Sequence, residues 1–334
     1  MSGVRGEAPI HQAGPTTIRV EAARYLSAAR VERVKPELEI GLSDRCYLPR
    51  LDDLASDWVA HVAVPALRAL RAGRGGASIP SFCSIGTGSG LDVLAAIEVL
   101  GASRVGLTDL HDDVVSAAVE NVRRNYAGPE SLAIEAGAGD LLEPLRCSGA
   151  RYDVIYENLP NLRAARAEEV SVARRSGTHL SPRQEAVPPV VERNLLVLHY
   201  LALRQTRDFL RPGGVVLSTL GVRVPLAVFP QMAAQAGLSA SFLTYGWKVQ
   251  AEPESVLADH AALQRDGLGP FHFYRADALA RRFAGLDPAA SGRGSFAIED
   301  GLRPQRLDAV TAYDLFKRGV TIGHTVVVLK SEPA

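Results

Sequence analysis

From residue 81 onward, short apolar runs alternate with longer amphipathic stretches. The runs at 82–85, 104–108, 132–135, 152–156, 215–219, 239–245 and 324–329 predict strands. The stretches at 91–100, 112–125, 140–146, 190–210 and 227–236 predict helices, the long one closing on Arg-Pro-Gly-Gly214. Alternation of this kind predicts an α/β fold with a mostly parallel sheet, right-handed crossovers and a ligand site at the carboxyl ends of the strands. Ahead of it, 51–73 carries Leu54, Trp58, Val62, Ala66 and Leu70 four apart on one helical face, with a kink or break expected at Pro65. A helical pattern also runs from Ile18 to Val34, after a loose Gly/Pro-rich start at 1–15. Two stretches, 161–188 and 250–320, exceed what crossovers need and are expected to cover a site or make an interface.

The expected organisation is an N-terminal helical, cofactor-covering extension (1–75), a core (76–249), an inserted substrate cap or dimer element (250–320) and a final core strand (321–334). Hydrophobic residues make up 47% of the 334, ample for a packed core. No run approaches 18 apolar residues and the N-terminus is polar, so a cytoplasmic protein with no membrane partner is expected. Cys46, Cys83 and Cys147 show no metal spacing and are expected as buried thiols, with no metal site. Net charge is zero, and only Lys35, Lys248, Lys317 and Lys330 of the 37 basic residues are lysine. No basic block stands out, which disfavours nucleic acid as a partner and favours a small-molecule substrate. A homodimer is compatible with the 250–320 insertion.

The most specific stretch is Ser84-Ile-Gly-Thr-Gly-Ser-Gly90, between a strand and a helix. Glycine admits positive φ and lets a ligand approach the backbone closely, while helix-start N–H groups face that ligand. Dinucleotide folds space these glycines as Gly-x-Gly-x-x-Gly, whereas Gly86, Gly88 and Gly90 alternate here, the pattern of a loop for S-adenosylmethionine (SAM). Asp109 ends the next strand, 19 residues beyond Gly90, where a carboxylate can accept both ribose hydroxyl protons. Asp140 ends the third unit, a place from which a carboxylate accepts an adenine amino group. Thr87 within the loop, and Leu110 and Leu141 beside the two aspartates, complete the expected cofactor set.

Ile-Gly-Thr-Gly-Ser-Gly-Leu, Leu-Gly-Ala-Ser-Arg-Val-Gly-Leu-Thr-Asp and Ala-Val-Glu-Asn-Val-Arg-Arg-Asn together resemble class I SAM-dependent methyltransferases, in the ribosomal-protein and release-factor N-methyltransferase branch. The resemblance spans roughly residues 45–220. It implies a Rossmann-like seven-stranded, mostly parallel sheet with a reversed final hairpin, helices on both faces, and SAM as cofactor. Cys46-Tyr-Leu-Pro-Arg-Leu-Asp-Asp53 is similar to a Pro-Arg-x-acid element that precedes the SAM loop in that branch, which implies Tyr47 and Arg50 against the cofactor. The family usually carries an acidic residue two places before the first glycine; this chain has Ser84.

Where the branch carries Asn-Pro-Pro-Tyr, this chain reads Glu157-Asn-Leu-Pro-Asn161. A planar nitrogen must aim its lone pair at the sulfonium methyl, and Asn158 with the Pro160 carbonyl can accept its N–H groups. Glu157 adds a carboxylate suited to gripping and polarising a guanidinium. Glu185, before the long helix, is the expected second carboxylate; His179 is a candidate base over the substrate and Arg223 a candidate partner for a substrate carboxylate. Phe271-His-Phe-Tyr274 is expected as core. These residues point to an N-methyltransferase for a guanidino or amino nitrogen of a small molecule, with free L-arginine in specialised metabolism as the specific expectation, faintly similar to free-arginine N-methyltransferases. Methylation of a glutamine or arginine side chain in a protein, and a non-catalytic SAM-binding regulatory subunit, are the alternatives.

Overall fold

The computed structural model describes residues 16–161 and 185–334. In its first part, β1 (Thr16–Glu21), a short α1 (Ala22–Tyr25) and β2 (Glu37–Leu42) form a two-stranded antiparallel unit. The helix expected over 18–34 is therefore mostly absent. Thr16, Thr17, Ile18 and Val20 are β-branched, and Val20 alone of this strand is buried, so a pleated ribbon suits the segment better than a helix. Two asparagines on α4 (Asp112–Asn125) cover β2 as a neighbouring strand would. Asn121 exchanges bonds with Gly41 at 2.8 and 2.8 Å, and Asn125 with Glu39 at 2.9 and 2.9 Å.

The expected 51–73 helix is broken. A 3-10 turn (Leu54–Ser56) and a π-helical turn (Val59–Ala63) precede α2 (Val64–Gly73). Pro65, expected to kink or break the helix, closely follows the π-helical turn, so the change of helix type falls at the proline that lacks an N–H.

The core then alternates as expected. β3 (Ser81–Ile85), α3 (Leu91–Leu100), β4 (Arg104–Asp109), α4, β5 (Ala133–Ala138), a 3-10 turn (Glu143–Ser148) and β6 (Tyr152–Glu157) follow in order. The 190–210 helix is two pieces, α5 (Pro189–Arg193) and α6 (Val197–Thr206), broken where Leu195 takes φ +61°. Arg-Pro-Gly-Gly214 enters the long strand β7 (Leu210–Val222) rather than capping a helix. α7 (Val228–Gln235), β8 (Leu238–Val249), α8 (Pro253–Arg265), β9 (Tyr274–Arg275), α9 (Ala276–Phe283), α10 (Pro288–Arg293), α11 (Ser295–Leu302), α12 (Ala309–Lys317) and β10 (Ile322–Pro333) complete the chain.

The sheet runs β5-β4-β3-β6-β7-β10-β8, seven strands, with two-residue β9 paired to the start of β10. β3 to β7 are parallel, and β10 lies antiparallel between β7 and β8. One apolar core packs α5, α6, α7 and part of the 250–320 helices on one face of this sheet; the other packs α2, α3, α4 and the β1–β2 unit on the opposite face. Phe271, Phe273 and Tyr274 are core residues. Of the three cysteines expected to be buried, only Cys83 is fully so, and Cys147 is exposed in its 3-10 turn. Among the described residues, no helix is long and apolar enough to cross a membrane and no cluster of His, Cys, Asp and Glu could hold a metal ion.

Candidate active site

At the carboxyl edge of the sheet, β3 ends at Ile85 and the chain turns through Gly86, Gly88 and Gly90 at φ of +69°, +53° and +78°. The first two turn residues are pinned, with Gly86 N and Thr87 N both donating to Thr108 O at 2.8 and 3.0 Å. Close approach adds a second demand. A Cβ on Gly90 would stand 3.2 Å from the Ala118 carbonyl, and one on Gly86 would stand 3.0 Å from Leu159 Cδ2. A Cβ on Gly88 would meet nothing within 4 Å, so this part of the loop faces open space. Gly88 N donates to Asp109 Oδ2 at 3.1 Å, which sets the carboxylate of β4 against the loop of β3. Burial raises the Asp109 pKa, with the Gly88 N–H pulling the other way. Gly139 N donates to Asp109 O at 2.9 Å, which brings Asp140 and Leu141 (φ +52°) to the same edge. Leu110, next to Asp109, is exposed.

Ser84 carries no charge, but a carboxylate stands beside it. Its hydroxyl donates to Asp92, which also accepts from Thr87 Oγ1 at 3.4 Å and Val93 N at 2.8 Å. Asp92 is buried in the first turn of α3, and burial pushes its pKa up to about 6 against these bonds. Sequence reasoning missed Asp92. The signal was an acidic residue in the first turn directly after the glycine loop, where the helix dipole favours a negative charge.

The segment before α2 lies across the same edge. Arg45 Nε donates to Asp113 at 3.3 Å, and Cys46 feels the Asp109 charge, although burial is the main reason its thiol is pushed up to about 11. Tyr47 lies beside Arg50, whose N–H donates to Asp57 Oδ2 at 2.9 Å and whose Nη2 is 3.9 Å from Glu252 Oε1 at the start of the 250–320 insertion. Asp57, a second buried carboxylate, also accepts from Tyr25 Oη at 2.9 Å.

Across the cleft, β6 ends in Glu157, followed by half-buried Asn158, Leu159 and Pro160. The Leu159 side chain rests over Gly86, so the two loops touch. Glu157 is wholly buried. Its Oε1 and Oε2 lie 3.0 and 2.8 Å from His199 Nδ1 on α6, and Oε2 accepts from Leu159 N at 3.2 Å. The Glu157 carboxylate thus faces α6 rather than the cleft, and it fixes the backbone on which Asn158 and Pro160 sit. His199 was not among the residues singled out from sequence. It lies in a helix of apolar neighbours, 42 positions from its partner, and nothing local marks it. Glu185 lies exposed ahead of α5. His179 lies outside the described residues. Arg223 follows β7 at the same sheet edge, and its guanidinium bonds Gln250 and His324.

No protein-family profile matches the chain, and no curated protein sequence does. Solved structures with a similar fold include a ribosomal protein L11 methylase from Lactobacillus delbrueckii subsp. bulgaricus, with 20% identity over 52% of this chain and 68% of that one and a TM-score of 0.33. A methyltransferase from Pyrococcus furiosus shares 17% identity over 54% and 76% at a TM-score of 0.35. A SAM-dependent methyltransferase from Agrobacterium tumefaciens shares 16% over 64% and 63% at 0.38.

Proposed function

We propose that the chain is a SAM-dependent methyltransferase acting on an amino or guanidino nitrogen of a small molecule, with free L-arginine the leading acceptor. The observation that carries the reading is the bond from Gly88 N to Asp109 Oδ2 beside a loop whose three glycines all take positive φ. It joins a backbone that a ligand can approach closely to a carboxylate that can hold ribose hydroxyls. The residues fit the cofactor: Gly88 faces open space, Asp109 and Asp140 share one edge, and Leu110 and Leu141 flank them. Tyr47 and Arg50 close that edge from the N-terminal segment.

SAM supplies a methyl group already bound to its leaving group, so the protein has chiefly to position the acceptor nitrogen. Asn158 Oδ1 and the Pro160 carbonyl accept N–H groups of that nitrogen and turn its lone pair towards the glycine loop, which Leu159 already touches. Glu157 holds this short segment through Leu159 N and lends negative potential behind a cationic acceptor. His199 keeps that carboxylate in place.

Titration calorimetry with SAM, beside transfer of labelled methyl to L-arginine, tests the reading. SAM is expected to bind, and Asp109→Asn to weaken it by about tenfold, the loss of one charge-assisted interaction. Absence of SAM binding overturns the function. SAM binding with methyl transfer to a peptide side chain and none to arginine moves the acceptor to proteins. SAM binding with no transfer to either leaves a regulatory subunit.

A further inference from the structure

Beyond the glycine loop, the strand ends of β7, β10 and β8 meet at the same sheet edge. β7 runs past β6, whose last residue, Glu157, pairs with Ser218, and Arg223 follows the end of β7. The Arg223 side chain folds back so far that Nη1 would lie 2.5 Å from a Cβ on residue 221, and glycine leaves room for it there. Nε and Nη2 donate to Gln250 Oε1 at 3.2 and 2.9 Å, and Nη2 lies 3.0 Å from His324 Nε2. His324 Nδ1 is 2.9 Å from Thr325 O, so Nδ1 carries the proton and Nε2 accepts from Arg223. His324 is therefore neutral, in keeping with a pKa held well below the usual range by burial.

No described carboxylate lies within ion-pair distance of this guanidinium, and Nη1 has no hydrogen-bond partner among the described residues. Lys248 adds to the imbalance. It is 1% exposed, donates to Val249 O at 3.3 Å and sits 4.5 Å from the centre of the Trp58 ring. Burial, with the like charge of Arg223, pushes its pKa down to about 7. The carboxylate of Asp57, which Lys248 also feels, is committed to Tyr25, Arg50, Val59 and Ala60. Arg223 is pulled down only to about 10 by burial and stays charged at neutral pH. A largely enclosed cation with neutral partners alone is costly, and an anion entering beside it offsets that cost. Arg223 nevertheless keeps partial solvent access, so a ligand can reach it.

We infer that Arg223, supported by Gln250, His324 and Lys248, is a binding site for a carboxylate group. Resting on the proposed function, that carboxylate belongs to the acceptor, which makes the acceptor an amino acid rather than an amine. A monoanionic, planar carboxylate suits one full positive charge presented by a guanidinium fork.

Trp58 and Trp247 are the only tryptophans in the chain; the Trp58 ring lies against Lys248 Nζ, and Trp247 precedes Lys248 in β8. Intrinsic fluorescence therefore reports this site. Acetate and inorganic phosphate are titrated into the full chain at fixed ionic strength, in wild type and Arg223→Met. The expected result is a saturable change with acetate that the variant loses. No saturable change, or an equal change in the variant, overturns the site; saturation with phosphate and not acetate overturns the carboxylate assignment. If Arg223→Met fails to fold, Arg223→Lys, which keeps the charge and loses the fork, is expected to bind acetate several-fold more weakly. The second arm compares KM for L-arginine with that for agmatine, the same molecule without its carboxylate. Arginine is expected at least about tenfold lower in wild type, with the difference lost in the variant. Equal KM values in wild type overturn the link to the acceptor. If neither compound is methylated while the acetate signal behaves as expected, the anion site stands and the acceptor reading falls.

Discussion

Asp92 occupies the ground beside the glycine loop that position 84 leaves uncharged. Its carboxyl is buried and bonded to Ser84, Thr87 and Val93, yet its pKa is pushed up to about 6 from 3.8. The folded state therefore holds this proton more tightly than the unfolded chain. Stability falls as pH rises between about 4 and 6, by up to about 3 kcal/mol from this group alone. Chemical denaturation across that range is expected to show a shallower decline in Asp92→Asn, whose amide keeps an acceptor for Ser84. An unchanged slope would place the proton elsewhere. The pattern of glycines was legible in sequence because φ above zero is a property of single residues. The identity of the carboxylate beside Ser84 was not, because it depends on where the first turn of α3 swings its side chain.

At the scale of elements, the junction of β6 with α6 controls the acceptor loop. Glu157 and His199 form a buried pair, and removing one partner strands the other's polar group. His199→Leu leaves the carboxylate uncompensated and is expected to cost about 3–5 kcal/mol, with a matching fall in Tm. Glu157→Gln retains a hydrogen-bonding group and is expected to cost about 1–3 kcal/mol. Both variants are expected to lower methyl transfer through the displaced Asn158–Pro160 segment. Loss of activity in Glu157→Gln with Tm untouched, beside a fully active His199→Leu, would instead put Glu157 on the acceptor. The strand itself was legible, as were β3 to β5, because each is a short apolar run between helices. The β1–β2 ribbon was not. Its residues fit a helical spacing over 18–34, and the asparagines of α4 that cover β2 lie 80 and more positions away.

Across the whole molecule, β10 is the last strand in sequence and an interior strand in space. It pairs with β7 over 325–331 and with β8 over 323–333. A chain ended after Gly319 loses both ladders and exposes two long edges, which invite intermolecular pairing. Such a truncation is expected to be insoluble or unfolded by circular dichroism; a soluble, cooperatively melting product would mean that β7 and β8 close on each other. The same strand brings His324 to Arg223 and Lys248, so the C-terminal segment builds the site as well as the sheet.

Sequence by itself determined the α/β alternation, the glycine loop and the two aspartates, Asp109 at the end of β4 and Asp140 just beyond β5. These depend on local spacing and on the backbone freedom of single residues. Tertiary structure decided which charges meet. It turned Glu157 to His199 and placed Asp92 beside Ser84. It also gathered Arg223, Gln250, His324 and Lys248 from three strand ends. The physical reason is that burial and pairing of a charged group depend on neighbours far along the chain, and a linear pattern carries no record of them.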